Sequence, residues 1–267
     1  MPDTVVLTGA TSGIGAAAAR LLAGSVRRLL VHGPEPERAV RAVLDGLRSA
    51  GGADIGYLRA DFDRLDDVVT LAGEVAARTE RVDVLVNNAG RPGAPERTTS
   101  HDGHEATLQT NYLAAVLLTE RLLPLVPDSG RVVHVSSATH LSATLDLDDL
   151  DFAHGYEPAA AYARSKLALT AHAVRQAGHY RPRIVSVHPG VISTGLLHAM
   201  FAVSGGSAAH GAANVVDAAL RADLPDGAYL DERRVAEPAG QVRDPGFREA
   251  LHRRTTTLLA PWLGDAG

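Results

Sequence analysis

The alternation of two hydrophobic periods limits the fold of this chain more than any other feature. Short runs rich in Val, Leu and Ile, at Thr4–Thr8, Arg28–Val31, Asp54–Leu58, Val82–Val86, Arg131–Ser136 and Arg183–His188, read as buried strands. Between them, Ile14–Ala23, Glu37–Ser49, Leu65–Thr79, Leu108–Leu125 and Ala159–Ala177 carry apolar residues at helical spacing. Strand and helix in strict turn give a parallel sheet covered on both faces. The chain has 267 residues, no internal repeat and no linker rich in Pro, Gly or Ser, so one doubly wound α/β domain over 1–267 is expected. Two segments break the rhythm. Thr139–Pro158 is polar and acidic without a clear period. The tail beyond Leu224 shows a short strand at Ala228–Leu230, a charged stretch and a last helix near Phe247–Leu259. Either is surface decoration or a cleft wall, because ligands of open α/β sheets bind beyond the carboxyl ends of the strands.

Composition then removes whole classes of function. A content of 45% hydrophobic and 21% charged residues excludes a disordered or collagen-like chain. The balance of 26 Lys+Arg against 31 Asp+Glu gives a net charge of −5, which offers nothing to nucleic acid. The absence of cysteine removes disulfides, thiol nucleophiles and thiolate metal sites. The 12 histidines are scattered without paired ligand spacing, so no metal is expected. The longest apolar stretch, Tyr112–Val126, is cut by Glu120, Arg121 and Pro124, and the N-terminus lacks the regions of a signal peptide. The expectation is a cytoplasmic protein without a membrane span. Among its basic residues, Lys166 is the one lysine. Where arginine serves everywhere else, a lone lysine suggests a need for a compact ammonium rather than a planar fork.

The first strand runs into Thr8-Gly9-Ala10-Thr11-Ser12-Gly13-Ile14-Gly15 and then a helix. Glycine at 9 permits a tight turn, and glycines at 13 and 15 let backbone approach a pyrophosphate and the neighbouring strand. The helix start supplies unpaired N–H groups and partial positive charge. A glycine-rich turn is weak evidence alone; following a strand and opening a helix, it has the context a dinucleotide site needs.

The spacing TGxxxGIG, Asn87-Asn88-Ala89-Gly90 after the fourth strand and Tyr162-Ala163-Arg164-Ser165-Lys166 together resemble the short-chain dehydrogenase/reductase family over nearly the whole chain. The resemblance implies a Rossmann fold binding NAD or NADP, with Thr8, Gly9, Thr11, Ser12, Gly13, Ile14 and Gly15 around the phosphates. It implies that Asp61, beside Phe62, bonds the adenine, and that Asn88, Ala89 and Gly90 line the adenosine ribose. Pro189, Gly190, Ile192 and Thr194 match the segment that holds the nicotinamide carboxamide. Asp61 has a second reading, as an N-cap of the helix Leu65–Thr79. The nucleotide itself stays open: Val31-His32-Gly33-Pro34-Glu35 is neither the acidic nor the arginine pattern, Ser12 is not basic, Arg38 could reach a 2′-phosphate and Glu35 could repel one.

Tyr162 and Lys166, four apart on a helix, share one face. A phenol of pKa about 10 is a poor base at neutral pH. An ammonium at about 4 Å, at an effective dielectric near 20, offers roughly 4 kcal/mol toward phenolate, as an upper figure. By resemblance Tyr162 trades a proton with the substrate oxygen, Lys166 binds the nicotinamide ribose, Ser137 bonds the same oxygen, and Asn111 anchors a water that links Lys166 to solvent. Ser136 and Ser137 could also simply end a strand, and Asn111 could cap a helix. Tyr156 is a decoy, with Ala160 four residues on.

The separation of Ser137 from Tyr162, and Asp226-Gly227-Ala228-Tyr229-Leu230-Asp231 in the tail, resemble the retinol-dehydrogenase-like branch of that family. This implies a largely apolar alcohol or carbonyl substrate. Thr139–Pro158 and Gly195–Gly206, with Met200, Phe201 and Val203, would close its pocket, and Gly205-Gly206 would be a hinge; a plain surface helix is the other reading of the second segment. Family resemblance also implies a homodimer or homotetramer through Leu108–Leu125 and Ala159–Ala177. Two other classes compete: a nucleotide-binding regulator without turnover, and a non-redox isomerase or dehydratase on the same scaffold.

Overall fold

The computed structural model describes residues 2–200 and 204–264. The expected strands form: β1 Thr4–Leu7, β2 Arg28–Gly33, β3 Asp54–Arg59, β4 Val84–Asn87, β5 Arg131–Val135 and β6 Arg183–His188. Boundaries move by one to two residues, as backbone pairing rather than hydrophobicity decides where a strand stops. Two short strands follow, β7 Tyr229–Asp231 and β8 Arg234–Ala236. The sheet order is β3-β2-β1-β4-β5-β6-β7-β8, parallel throughout except that β8 pairs antiparallel with β7. The chain starts in the middle, winds out to β3, returns across β1 and winds out the other way. That reversal between β1 and β4 opens a crevice at the carboxyl edge of the sheet.

Helices cover both faces. On one side α1 Gly13–Ala23, α2 Glu37–Ala50 and α8 Ala208–Leu220 pack with Val5, Leu7, Leu29, Val31, Val133, Val135, Val185 and Val187. On α2 the buried positions are Val40, Leu44 and Leu47, one stripe at helical spacing. On the other side lie α3 Leu65–Arg78, α4 Ala106–Leu108, α5 Ala114–Leu122 and α6 Pro158–Gln176. The helix expected over Leu108–Leu125 is interrupted. Gln109–Leu113 is a π turn and Leu123–Leu125 a 3-10 turn, so Asn111 sits on a widened helical turn, a device often found at functional sites.

The C-terminal elements are α7 Gly195–Met200, α9 Gly240–Arg243 and α10 Pro245–Leu263. The last of these is longer than the expected Phe247–Leu259. It lies across α5 and α6, burying Leu251, Thr255 and Leu259, and the Tyr112 and Thr255 hydroxyls meet at 2.7 Å. With α10 in place, α6 is buried over most of its length, from Ala161 to Ala173 apart from Arg164. The chain's own tail thus packs on the two helices through which family resemblance implies self-association.

Thr139–Pro158 does less at the cleft than expected. It starts as a 3-10 turn, Ala138–Ser142, then packs Leu145 and Leu150 into the core and buries Phe152. Leu145 exchanges two hydrogen bonds with Gln241, and the Asp151 carboxylate accepts from the Glu105 amide at 2.9 Å. Only its first residue, Thr139, reaches the cleft wall. The rest is a docked cover.

Candidate active site

A cleft of about 850 Å³ lies beyond the carboxyl ends of β1, β2, β4, β5 and β6. Its floor begins at the glycine turn, where Gly9 has φ +64° and Gly13 φ +52°, values that favour glycine. A Cβ on Gly15 would stand 1.9 Å from the Gly9 carbonyl oxygen, so close packing of α1 on the turn requires glycine there. Ser12 is the N-cap of α1 but makes no side-chain cap, which leaves first-turn amides facing the cleft. Opposite, the Thr194 methyl lies 3.5 Å from where a Gly13 Cβ would be. Two backbone segments thus face each other across a gap with open N–H groups at one wall. That arrangement fits a pyrophosphate.

The turn is held from behind. The Thr8 hydroxyl accepts the Asn88 and Ala89 amides, each at 3.0 Å, and the Asn88 side-chain amide donates to the Thr8 and Gly9 carbonyls at 2.9 and 3.0 Å. Thr8 itself does not line the cleft; it joins the loop after β1 to the loop after β4. Gly9, Thr11, Ser12, Gly13, Ile14, Gly15, Asp61, Phe62, Asn88, Ala89, Gly90, Pro189, Gly190, Ile192 and Thr194 all do. The Asp61 carboxylate accepts the Asp63 amide at 3.0 Å, while the N-cap of α3 is Arg64. Asp61 is therefore not the helix cap.

Sequence reading missed His32. Buried at the end of β2, its Nδ1 accepts the Gly9 amide at 3.3 Å and its Nε2–H donates to the Ala60 carbonyl at 3.0 Å. The ring stacks on Phe62, centroids 4.5 Å apart. Burial holds His32 neutral, its pKa lowered to about 4. No sequence pattern marks a histidine as the support of a glycine turn; only the pairing of β1 beside β2 brings the two together.

At the other end of the cleft Tyr162, Lys166 and Ser137 converge. α6 supplies the first two from successive turns, and Ser137 caps the 3-10 turn after β5, its hydroxyl accepting the Thr139 amide at 3.3 Å. Ser136 points behind the sheet edge, to the Thr170 hydroxyl at 2.7 Å and the Lys166 carbonyl at 3.2 Å. Of the pair, Ser137 is the one whose hydroxyl bears on the Tyr162 phenol, drawing its pKa down. Tyr156 stays apart, its hydroxyl on the Ala94 carbonyl at 2.9 Å.

The electrostatics differ from expectation. The Lys166 ammonium lies 5.6 Å from the Tyr162 ring centroid and donates to the Val135 carbonyl at 2.8 Å. Burial dominates both groups. It pushes Tyr162 up to about 12, against the smaller opposing effect of the neighbouring Ser137 hydroxyl, and draws Lys166 down to about 8. In this state the phenol is protonated, and the lysine charge has not been spent on ionising it.

Asn111 is fully buried beneath the cleft wall. Its carbonyl accepts the Arg91 amide at 2.8 Å, and its amide donates to the Arg91 carbonyl and the Ser165 hydroxyl, both at 3.0 Å. Its oxygen would lie 3.2 Å, and the Lys166 nitrogen 3.5 Å, from a Cβ on Gly90. Asn111 and Lys166 thus share a neighbourhood without a direct bond. Ser193, between Ile192 and Thr194, ties this loop down: four hydrogen bonds join Val191–Ser193 to Gly205-Gly206, so the glycine pair expected as a hinge is anchored. Leu196, Leu197 and Met200 of α7 line the cleft above it; Phe201 and Val203 lie outside the described residues. Among the described residues no group of three or more His, Asp or Glu could hold a metal ion, and no helix is long and apolar enough to cross a membrane.

The family pattern described as short chain dehydrogenase matches residues 3–203. The chain belongs to that family. Members of the short-chain dehydrogenase/reductase family are nicotinamide-dependent oxidoreductases, and this chain is similar along most of its length to named ones. DnrU of Streptomyces sp. (strain C5), provisionally named a daunorubicin C-13 ketoreductase, is 37% identical over 93% of this chain and 89% of its own. Polyprenol dehydrogenase of Mus musculus is 35% identical over 98% of this chain and 85% of its own. Among solved structures, an uncharacterised protein of Mycobacterium paratuberculosis superposes with a TM-score of 0.82 at 30% identity, covering 97% of this chain and 93% of its own. The landomycin C-6 ketoreductase LanV, solved with NADP and rabelomycin, gives a TM-score of 0.67 at 26% identity over 86% and 94%.

Proposed function

We propose that the protein interconverts a carbonyl and an alcohol on a largely apolar small molecule, with Tyr162 as the acid or base. The observation that carries this reading is the meeting of Tyr162, Ser137 and Lys166 in the same cleft as an open glycine turn. A bound nicotinamide supplies or accepts the hydride. The residues 9–15 and 189–194 would hold it, with Asp61 and Asn88–Gly90 around the adenosine. Ser137 and Tyr162 present two hydroxyls to the substrate oxygen, and in reduction Tyr162 passes its proton to that oxygen as charge builds there. In oxidation the phenolate takes the proton back. Lys166 stabilises that phenolate from the side and bonds the ribose. Asn111 acts through the backbone at Arg91 and through Ser165, keeping the widened turn beneath the lysine in place.

Leu196, Leu197, Met200, Pro92 and Val191 give the substrate end its apolar character, and α7 serves as a cover over it. The ketoreductase names of DnrU and LanV support the carbonyl-reducing direction. On the same reading the chain works as a monomer, because α10 already packs on α5 and α6. A panel of apolar ketones with either reduced nucleotide tests the reading. The expectation is alcohol formed in step with nicotinamide oxidation, and a raised KM for those ketones in Leu197→Asp with nucleotide affinity unchanged. Product formed with no change in nicotinamide absorbance would overturn it in favour of a non-redox enzyme; nucleotide binding with no turnover of any carbonyl would favour a regulator.

A further inference from the structure

Among the described residues five histidines are buried: His32, His134, His140, His172 and His188. Four of them are hydrogen-bonded at both ring nitrogens. His32 lies between the Gly9 amide and the Ala60 carbonyl, and His140 between the Ser137 carbonyl at 2.7 Å and the Ala239 amide at 3.3 Å. His134 bonds Asn87 and His172, and the far nitrogen of His172 faces the Tyr180 hydroxyl at 3.4 Å. His188 is the exception: among the described residues neither of its ring nitrogens has a hydrogen bond. The residue is 7% exposed, its Nδ1 is sealed from solvent, and it lines the cleft. A buried ring with both nitrogens unused costs free energy that a bound polar group would recover.

The sheet sets its position. Along β6, Val185 and Val187 pack on the α8 side and Ile184 on the α6 side, so alternation turns His188 to the α6 side, the one that carries Tyr162. Val187 pairs with Val135, and the Ser136 amide donates to the Val187 carbonyl at 2.8 Å. Ser137 and His188 therefore leave neighbouring strands at the same edge. On the other flank β7 sets Asp231 opposite His188. Asp231 is engaged with Arg234 at 3.1 Å and Glu232 with His210 at 2.8 Å, so neither carboxylate claims the ring. Burial holds His188 below the ordinary histidine range, against the smaller raising effect of Asp231 and Glu232, and the ring is neutral at neutral pH. A sealed Nδ1 with no acceptor in reach is best left unprotonated, which puts the proton on Nε2. The ring then has one N–H to offer a ligand.

Resting on the reading of this cleft as the place where Tyr162 serves a carbonyl, we propose that His188 donates from Nε2 to a second oxygen of the substrate. That oxygen is a carbonyl or hydroxyl carried close to the reacting one, so the protein prefers hydroxyketones and diketones over plain apolar ketones. Ser137 and Tyr162 address the reacting oxygen and His188 the second, which fixes the substrate at two polar points in a pocket that is otherwise apolar.

Initial rates with reduced nicotinamide test it on matched pairs of ketones that share a carbon skeleton, one of each pair bearing a hydroxyl or second carbonyl one or two carbons from the first. The parent, His188→Phe and His188→Gln are compared, with nucleotide affinity measured on the same samples. His188→Phe keeps a flat ring and removes the N–H. It should lower kcat/KM for the oxygenated ketones by about tenfold, mainly through KM, and leave the plain ketones within about twofold. His188→Gln, which restores a donor, should recover part of that loss. Comparing each pair across the variants removes the difference in intrinsic reactivity between its members. Equal loss on both ketones of a pair, or none on either, with nucleotide affinity unchanged, would overturn the role of His188 while leaving carbonyl reduction in place. Should either variant fail to fold, the other carries the same comparison. A parent that binds nucleotide and reduces no member of any pair would instead remove the carbonyl-reducing reading and this inference with it.

Discussion

At neutral pH Tyr162 keeps its proton and Lys166 is close to giving up its own, because burial raises the first to about 12 and lowers the second to about 8. The site is thereby set as a proton donor. Carbonyl reduction should proceed at near-constant rate through neutral pH, while alcohol oxidation, which needs the phenolate, should climb as pH rises. Initial rates in both directions across pH check this; oxidation fastest in acid would contradict it. Lys166→Arg should be severely impaired, since a planar guanidinium cannot replace a compact ammonium among the Val135 carbonyl, the phenol and a ribose; a variant that turns over like the parent would refute that need. The tyrosine–lysine pair and the glycine turn were legible because each is a residue type at a fixed spacing, while family resemblance picks out Ser137 over Ser136. His32 was not legible, because its role depends on neighbours that the sheet brings in, Gly9 and Ala60.

Each helix owes its place to what its apolar stripe meets, and that explains which elements the sequence announced. α2 and α3 carry clear stripes and were expected within a residue or so. α8, Ala208–Leu220, was not assigned: its buried face is made of Ala212, Val215, Ala218 and Ala219, too small to stand out in an alanine-rich chain. β8 is three residues long and two of them are exposed, so its pairing with β7 left no hydrophobic signal. The most consequential element is α10. It packs on α5 and α6, the helices through which association is expected, so a one-chain species of 27.9 kDa in sedimentation is the outcome this packing predicts. A stable dimer that persists when α10 residues are left untouched would contradict this. Within the contact the Thr255 hydroxyl also donates to the Leu251 carbonyl at 2.8 Å, so Tyr112→Phe removes one of its two bonds and should lower unfolding free energy by about 1 kcal/mol in denaturant titration; no loss would show the bond to be idle.

On the scale of the whole molecule, the core contains an unusual load of neutral histidine. His32 and His134 are buried and lowered to about 4 and about 3, and His172 is also held well below its ordinary value. Desolvation is the first cause in each case. A histidine whose folded pKa is depressed binds fewer protons than it does unfolded between its folded value and 6.5. Stability is therefore full above pH 6.5 and falls as pH drops through that window. At about 1.4 kcal/mol per unit at full slope, which is reached only below the unfolded pKa, His32 and His134 together should cost about 3 kcal/mol between pH 6.5 and pH 5. Urea unfolding at a series of pH values measures the slope, and a flat profile would show these rings to be protonated or exposed. The fold class and the end of the sheet that carries the cleft followed from alternation, since strands that alternate with helices have few ways to close a core; the strand order is read from the structure. The cleft's own walls did not, because Thr139–Pro158 and the residues after β6 have no period and are shaped by what they dock against.

The central claim is that the Tyr162 hydroxyl is the proton donor for a carbonyl reduced in this cleft. It is tested most directly by mixing the parent and Tyr162→Phe with reduced nicotinamide and an apolar ketone, following nicotinamide absorbance and alcohol together, with nucleotide affinity measured on the same samples. The expected result is one alcohol per nicotinamide oxidised in the parent, and a rate lower by about 10²–10⁴-fold in the variant at nearly unchanged nucleotide affinity. A variant that binds nucleotide and reduces the ketone at the parental rate would contradict it.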